Sequence, residues 1–344
     1  MTGISIFGPT GPAIALRHRQ PAQPNDSGIQ GLIQSEPLAV SNANPDLNSL
    51  PNCCGACGLT SFRSVGHKHS FELAQCMSCG SISVRGVEVT EAKPSDIYEH
   101  YYDCSNFQTP AVTSLSLNRV AERCEAFRQT GCWLDIGYGE GGLLSIAEAH
   151  GWSCYGTEIA RRSLEHGRRR GWTVTADAEC DARFPQAGFD VITMIEFLEH
   201  VTDPGRFLSA AARWLRPGGL LYLTTPNALS LNNRLLGLDW SVFAPPDHVI
   251  IWTPAGIRTA FTRYGFRLSS LRTEGLNPCE IKARFTLRQH DGKPGTPINR
   301  NDAAANLNEA LSRSPLRRGI KRTINQFLST LKAGDTIKAW AIRE

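Results

Sequence analysis

The chain has 344 residues, of which 41% are apolar and 20% charged, with a formal net charge of +4. This composition predicts a globular protein with one large domain and a smaller one, and it argues against a fibrous or wholly disordered chain. No apolar run approaches the roughly 18 residues of a membrane span, and no secretion signal begins the chain, so we expect a cytoplasmic protein with reduced thiols.

Residues 1–50 are rich in Pro, Asn, Ser, Gln and Gly and have no periodicity, which predicts a disordered leader. The next segment, 51–92, contains two Cys-x-x-Cys-Gly motifs. Each motif ends in a glycine that permits the tight turn around a metal, and the stretch between them can form a short β-ribbon. This pattern predicts a zinc ribbon with a closed, structural site. Its expected ligands are Cys54, Cys57, Cys76 and Cys79, and Cys53 could replace Cys54.

Residues 93–130 are expected to form linker or lid helices that join the ribbon to the larger domain. From Trp133 onward, predicted strands and helices alternate, which favours a mostly parallel sheet covered by helices on both faces. The first strand runs into a glycine-rich turn with the spacing Gly-x-Gly-x-Gly, and a helix follows. Such a turn lets the backbone pass close to a ligand and opens α/β nucleotide-type sites.

Polar residues follow the successive strands of this predicted sheet. Glu158 ends the second strand, where a carboxylate can accept both hydroxyl protons of a ribose, and Asp177 follows the third. The fourth strand, 189–195, leads into Glu196-Phe197-Leu198-Glu199-His200. If this stretch is helical, its two carboxylates and imidazole share one face.

In this order, the motifs resemble those of class I S-adenosylmethionine-dependent methyltransferases, and they are most similar to the branch that includes the ubiquinone-biosynthesis O-methyltransferases. The motifs are Leu134–Gly141, Glu158, Asp177–Glu179, Phe189–Ile192, Glu199–Pro204 and Leu215–Gly219. The resemblance implies a Rossmann-like seven-stranded sheet within residues 131–285. An N-terminal zinc ribbon on such a domain resembles bacterial methyltransferases of sugar, polysaccharide and natural-product pathways. Tyr138 departs from the pattern, since the family often has cysteine there.

The resemblance also implies a role for each residue of the cofactor site. The backbone at Gly137, Gly139 and Gly141 would hold the methionine part of S-adenosylmethionine, and Asp135 would fix the loop or the amino group. Glu158 would bind the ribose. Asp177 would accept a hydrogen bond from the adenine amino group, next to a backbone N–H of Ala178.

The Glu-x-x-Glu-His stretch, together with His248 far downstream, resembles the small-RNA 2′-O-methyltransferases, in which such residues bind a divalent metal. Glu196, Glu199, His200 and His248 could therefore hold Mg²⁺ and act on the acceptor hydroxyl. The alternatives are that His200 or His248 is an ordinary general base, or that these residues are structural.

Residues 286–344 are expected to form a helical extension. Taken together, the motifs predict methyl transfer to a hydroxyl of a small or carrier-linked acceptor, such as a sugar, a polysaccharide or a natural product. One alternative is C-methylation of a deoxysugar. An alternative of another class is a nucleic-acid-binding or protein-binding zinc ribbon, although the scattered basic residues do not favour nucleic acid.

Overall fold

The structure is a computed structural model that describes residues 52–85, 107–176, 184–287 and 315–344. The predicted leader over 1–50 lies outside these residues, as does most of the predicted linker that precedes residue 107. Among the helices within these ranges, none is long and apolar enough to cross a bilayer.

The described residues contain eleven strands in two sheets. The strands are β1 (Phe62–Lys68), β2 (Phe71–Cys76), β3 (Ile82–Arg85), β4 (Cys132–Ile136), β5 (Ser153–Thr157), β6 (Thr173–Thr175), β7 (Phe189–Ile195), β8 (Leu215–Pro226), β9 (Ile250–Ile251), β10 (Phe266–Glu274) and β11 (Thr336–Arg343).

Eight α-helices connect or flank these strands in the described ranges. They are α1 (Ala111–Cys124), α2 (Gly142–Ala149), α3 (Arg161–Arg169), α4 (Pro204–Trp214), α5 (Leu231–Leu236), α6 (Pro254–Arg263), α7 (Pro278–Leu287) and α8 (Pro315–Thr330).

The larger sheet has seven strands in the order β10-β11-β8-β7-β4-β5-β6. Strands β4 to β8 run parallel to one another, and β11 is antiparallel to both β8 and β10. The predicted α/β class with a Rossmann-like seven-stranded sheet is therefore confirmed. The central strand β7 is buried over Phe189–Met194, as expected of a parallel strand that is covered on both faces.

Side chains of successive strand residues enter two separate cores, one on each face of this sheet. Trp133 and Val191 lie in the core that packs against α2, whereas Leu134 and Ile192 lie in the core that packs against α4. Because side chains alternate along a strand, this division places helices on both faces of the sheet.

The C-terminal segment corrects one prediction. Within the predicted helical extension over residues 286–344, residues 315–330 form α8, but residues 336–343 form the strand β11, which lies between β10 and β8. The reason is the period of two in this stretch. Ile337, Ala339 and Ala341 enter one core, while Trp340 faces the other and stacks under Arg123. Such alternation is typical of a strand.

The smaller sheet has the order β1-β2-β3-β9, and only its first three strands come from the predicted ribbon. The fourth strand, β9, belongs to the segment that follows β8, and Ile82 pairs with Ile251 in an antiparallel register. The ribbon is thus joined to the larger domain by backbone hydrogen bonds, and the cysteines Cys54, Cys76 and Cys79 share a core with residues of that domain.

Candidate functional site

Asp135 and Glu158, two of the residues singled out in the sequence, lie at the carboxyl ends of the parallel strands β4 and β5. Asp135 and Ile136, near the end of β4, pair with Gly156 and Thr157 at the end of β5, and β7 runs on the other side of β4. In open parallel sheets, ligands bind at this edge.

The glycine turn after β4 has a backbone that glycine adopts without strain. Gly137, Gly139 and Gly141 have φ of 71°, 55° and 75°, in the left-handed region that L side chains rarely adopt. The N–H of Gly137 donates to the carbonyl of Thr157 at 2.9 Å, which ties the turn to β5.

The turn leads into α2, whose first residue is Gly142. No side chain caps the start of this helix, so the backbone N–H groups of its first turn can receive an anionic group such as a carboxylate. A Cβ on Gly137 would come within 2.4 Å of Cδ2 of Phe197, so the Phe197 ring lies directly against the turn. Glycine is required at position 137 by both its φ and this contact.

Tyr138, the residue that departs from the family pattern, points away from the turn into the core. Its hydroxyl donates to the carbonyl of Ser163 at 2.7 Å, and its ring packs edge-to-face on Trp172. Gly156 and Gly167 leave room for the ring, since a Cβ at either position would come within 3 Å of it or of its hydroxyl. The side chain of Tyr138 therefore supports the turn from beneath.

Asp135 is 3% exposed and accepts a 2.6 Å hydrogen bond from the hydroxyl of Thr193 on β7. Trp133 Nε1 in turn donates to that hydroxyl at 3.0 Å, which fixes its orientation. Burial, with a further contribution from the charge of Glu158, raises the pKa of Asp135 to about 7. A carboxylate so deprived of water is well placed to receive a cationic amino group.

Glu158 at the end of β5 connects the glycine turn to the next helix. Its Oε2 accepts from the N–H of Gly139 at 3.0 Å, and its Oε1 accepts from the N–H of Ile159 at 2.7 Å, just before α3. The side chain is only 9% exposed. The structure thus places Glu158 beside the turn, as the sequence predicts. Asp177 and Ala178 lie outside the described residues.

The stretch after β7 differs from the predicted helix. Glu196 has φ of 47° and is exposed, and the residues that follow form a turn closed by the N–H of His200 on the carbonyl of Phe197. The expectation that Glu196, Glu199 and His200 share one helical face is therefore wrong. The left-handed backbone at Glu196 ends the strand and turns the chain before a helix can begin.

Three of the four predicted residues do come together. Glu199, His200 and His248 each offer one ligand atom within 4.8 Å of the others, and the centroids of the two imidazole rings lie 4.7 Å apart. Glu196 is not part of this group, although its charge adds to the effect of burial in raising the pKa of Glu199 well above its usual range.

Glu199 is 1% exposed, and its two carboxylate oxygens differ in their surroundings. Oε2 accepts from the hydroxyl of Thr225 at 2.9 Å. Oε1 is buried with no hydrogen-bond partner among the described residues, and it lies 4.0 Å from Nε2 of His200. A buried oxygen without a partner is costly unless a bound group satisfies it.

Both imidazoles are oriented through Nδ1. His248 donates to the carbonyl of Val242 at 2.7 Å, and His200 donates to the carbonyl of Asp247 at 3.0 Å. Because carbonyls only accept, Nδ1 carries a proton in both of these contacts. Burial, followed by the neighbouring His200, lowers the pKa of His248, so its neutral form is favoured.

This donor set fits a divalent cation. It combines one carboxylate oxygen without a partner with two imidazoles, and each ring is held by a carbonyl as in known metal sites. Glu199, His200 and His248 would hold the ion, which would supply Lewis-acid polarisation of a bound hydroxyl. Without an ion, Nε2 of His248, whose neutral form is favoured, could accept a proton.

Three residues that help to build this site were not assigned a role from the sequence: Thr193, Thr225 and Asp247. The two threonines hold the carboxylates, and Asp247 holds His200. Thr193 and Thr225 lie near the ends of β7 and β8, so their place at the edge of the sheet was a usable signal. The role of Asp247 depends on a loop fold with no such signal.

The four predicted cysteines of the ribbon also form a cluster. Sγ of Cys54 lies 3.6 Å from Sγ of Cys79, and Sγ of Cys57 lies 3.5 Å from Sγ of Cys76. Zinc–sulfur bonds of about 2.3 Å at tetrahedral angles require sulfurs about 3.8 Å apart, so the set fits zinc. Cys53 is not part of the cluster.

The thiols of this cluster are electrostatically coupled. Contact with Cys79, followed by burial, raises the pKa of Cys54, whereas the same contact lowers the pKa of Cys79 to about 5. A cation at the centre would relieve this coupling by stabilising all four thiolates.

Comparisons with known proteins complete the description of the site. A family model described as "Methyltransferase domain" matches residues 108–271. The ubiquinone biosynthesis O-methyltransferase of Idiomarina loihiensis is 38% identical over 132 residues, which are 36% of this chain and 51% of that protein. The corresponding enzyme of Methylococcus capsulatus is 29% identical over 194 residues, which are 50% of this chain and 77% of that protein.

A solved structure of a SAM-dependent methyltransferase from Archaeoglobus fulgidus is 17% identical, with a TM-score of 0.45. The alignment covers 73% of this chain and 100% of that one. The chain spans about half the length of the first curated relative that it matches.

Proposed function

We propose that this chain, whose residues 108–271 match a family model described as "Methyltransferase domain", transfers a methyl group from S-adenosylmethionine to a hydroxyl of a small acceptor. One observation carries the proposal. The glycine turn lies between two buried carboxylates, those of Asp135 and Glu158, at the carboxyl edge of the sheet.

Each side of this turn suits one part of the cofactor. The uncapped start of α2 suits the methionine carboxylate, and Asp135 suits the amino group, because its buried carboxylate gains most from a positive partner. Glu158 suits the ribose hydroxyls. For Asp177 and Ala178, the assignment to the adenine ring stays a prediction from the sequence.

The residues Glu199, His200 and His248 form the wall that would act on the acceptor. A sulfonium methyl is already electrophilic, so the protein's main tasks are to align the nucleophile and to exclude water. An oxygen nucleophile also needs its proton removed or its charge stabilised. We propose that this cluster does so while holding a divalent cation such as Mg²⁺. The runner-up is that Nε2 of His248 acts as a general base without metal.

The acceptor is proposed at the level of its class. The curated relatives act in ubiquinone biosynthesis as O-methyltransferases, which supports a hydroxyl on a small molecule. A carrier-linked sugar, polysaccharide or natural product remains part of the proposal because of the ribbon. C-methylation of a deoxysugar is the alternative, and the position of a labelled methyl group in the product distinguishes the two.

A nucleic-acid-binding or protein-binding ribbon is the alternative of another class. A basic binding face would make retention on nucleic acid steeply salt-dependent, so absence of retention at low salt removes that option. We further propose a cytoplasmic location, which the nine described cysteines, all free, would suit.

The first experiment measures cofactor binding by calorimetry. We expect S-adenosylhomocysteine to bind the wild-type protein, and Asp135→Ala to weaken that binding at least about tenfold, the scale of a lost charge-assisted contact. Thr330→Ala, on the exposed surface of α8, is the control. If neither S-adenosylmethionine nor S-adenosylhomocysteine binds the wild-type protein, the proposal must be abandoned.

A further inference from the structure

The cysteine ribbon and the Glu199/His200/His248 cluster are joined by one short segment, residues 247–253. Its middle residue, Val249, hydrogen-bonds in both directions. The N–H of Val249 donates to the carbonyl of Glu199 at 2.8 Å, and the carbonyl of Val249 accepts from the N–H of Val84 at 2.9 Å. Through these two hydrogen bonds, Val249 links strand β3 of the ribbon to the backbone of Glu199.

The same segment contains one imidazole of the cluster and orients the other. Asp247 accepts from Nδ1 of His200, and His248 itself belongs to the segment. Directly after these residues, Ile250 and Ile251 form β9 and pair with Ser83 and Ile82 of the ribbon. Any displacement of β9 would thus move His248 itself and the residue that orients His200.

Buried polar contacts attach Thr253, at the end of the segment, to the second Cys-x-x-Cys-Gly motif and to Ser81 just after it. The hydroxyl of Thr253 donates to the carbonyl of Cys79 at 2.5 Å, and the N–H of Thr253 donates to the hydroxyl of Ser81 at 3.2 Å. Both side chains are at most 1% exposed. The start of α6 also packs closely against Ser81, since a Cβ on Gly256 would lie 2.4 Å from Oγ of Ser81.

From these contacts we infer that the ribbon holds the Glu199/His200/His248 cluster in position. Ser81 and Thr253 are positioning residues that act on His248 through β9. The inference deepens the proposed function and rests on it for the role of the cluster. It assigns the ribbon an internal task in the same domain. The cofactor residues Asp135 and Glu158 are held by β7 and the glycine turn, so the ribbon should not affect them.

The test compares two serine variants that each remove the acceptor of one backbone N–H. Ser81→Ala removes the acceptor for the N–H of Thr253. Ser329→Ala is the matched control, because Ser329 accepts from the N–H of Thr273 at 3.3 Å, between α8 and β10. Zinc content and S-adenosylhomocysteine affinity are measured for both variants.

The readout that reports on positioning is the state of His248, followed by ¹⁵N NMR of its imidazole. We expect the wild type and Ser329→Ala to show one ordered ring protonated at Nδ1. Ser81→Ala should show a shifted or broadened His248 ring, with unchanged zinc content and S-adenosylhomocysteine affinity. Mn²⁺ binding at the cluster should weaken about fivefold, the scale of one hydrogen bond.

A second pair of variants tests the same contacts by changing Thr253 in place of Ser81. Thr253→Val removes the donor to Cys79, and Thr253→Ser keeps it, so the serine variant should restore the wild-type His248 signals. An unchanged His248 ring in both Ser81→Ala and Thr253→Val would overturn the inference. If S-adenosylhomocysteine does not bind the wild-type protein, the proposed function fails, but the NMR comparison still decides whether the ribbon positions His248.

Discussion

The hydroxyl of Thr193 donates to Oδ1 of Asp135 at 2.6 Å, which is the only hydrogen bond recorded for this carboxylate among the described residues. One such bond does not offset burial, so the pKa of Asp135 is raised to about 7. If the ionised form holds the cofactor's amino group, binding should weaken as the pH falls through 7. Below pH 7, we expect the dissociation constant of S-adenosylhomocysteine to rise about tenfold per pH unit.

The control is Asp135→Asn, which should bind weakly with a flat profile over the same range. The free energy of unfolding should change with pH in the direction opposite to cofactor binding. Since the folded pKa lies above the unfolded value, this carboxyl should make the cofactor-free protein less stable as the pH rises from about 4 to 7. Calorimetric titration at several pH values checks the first effect. Binding that strengthens towards pH 6 would contradict the role given to Asp135.

The cysteine cluster predicts about one zinc per chain, since four thiolates complete a tetrahedral shell. Cys76→Ser should reduce the zinc content of reduced protein to near zero. Cys132→Ser is the control, because Cys132 is half-buried on β4 and lies outside the cluster. Metal analysis by atomic absorption provides the count. A wild-type value near zero would refute the site.

The two glutamates after β7 should differ in their importance. Glu199→Gln removes the charge of the carboxylate whose Oε1 has no partner beside His200, so we expect kcat to fall by at least about 10²-fold. Glu196→Gln changes an exposed side chain outside the cluster, so its loss should be well below that of Glu199→Gln. Steady-state kinetics with a labelled cofactor measure both. Equal losses would restore the four-residue site expected from the sequence.

Sequence patterns identified the strand ends but not how the loops beyond them fold. Asp135 and Glu158 end strands that pair in register, so alternation and order sufficed to bring them together. Glu199 and His248 meet because the turn at Glu196, with its positive φ, and the pairing of β9 place them side by side. Neither feature has a local signal, since the hydrogen bonds of β9 are made with a ribbon strand distant in sequence.

The strand β11 was missed for a different reason. Its alternation is clear once Ile337, Ala339 and Ala341 are read with a period of two, but the whole of residues 286–344 was expected to be helical. The Leu215–Gly219 motif forms a bulge in β8. It brings Arg216 onto Asp190.

This buried ion pair predicts a stability effect. Arg216 Nε donates to Asp190 at 2.6 Å, and the N–H groups of Gln129 and Gly131 also donate to this carboxylate. Burial pushes the pKa of Asp190 upward, but these donors outweigh it, and the net pKa is lowered. Asp190→Asn should therefore cost about 3 kcal/mol in the free energy of unfolding.

The pH dependence of that loss follows from the lowered pKa. The contribution of Asp190 should be present above pH 4 and disappear as the pH falls further, so wild type and Asp190→Asn should converge in acid. The exposed pair Arg161–Glu165 is the control, and Glu165→Gln should cost less than about 0.5 kcal/mol. Urea denaturation at several pH values measures both. A difference between wild type and Asp190→Asn that grows in acid would contradict the assignment.

The packing of Tyr138 against Gly156 predicts a coupled pair. A Cβ on Gly156 would lie 2.5 Å from Cδ1 of Tyr138, whose ring is only 5% exposed, so Gly156→Ala must displace the ring or the strand. We expect it to cost about 2 kcal/mol in the free energy of unfolding, the scale of an overpacked core. Tyr138→Leu should also destabilise, through the lost hydrogen bond to Ser163. The double variant should lose clearly less free energy of unfolding than the two single variants lose together, because the smaller side chain leaves room for the added methyl group. A double-mutant cycle in urea measures this coupling, and strict additivity would show that Tyr138 is not what requires glycine at position 156.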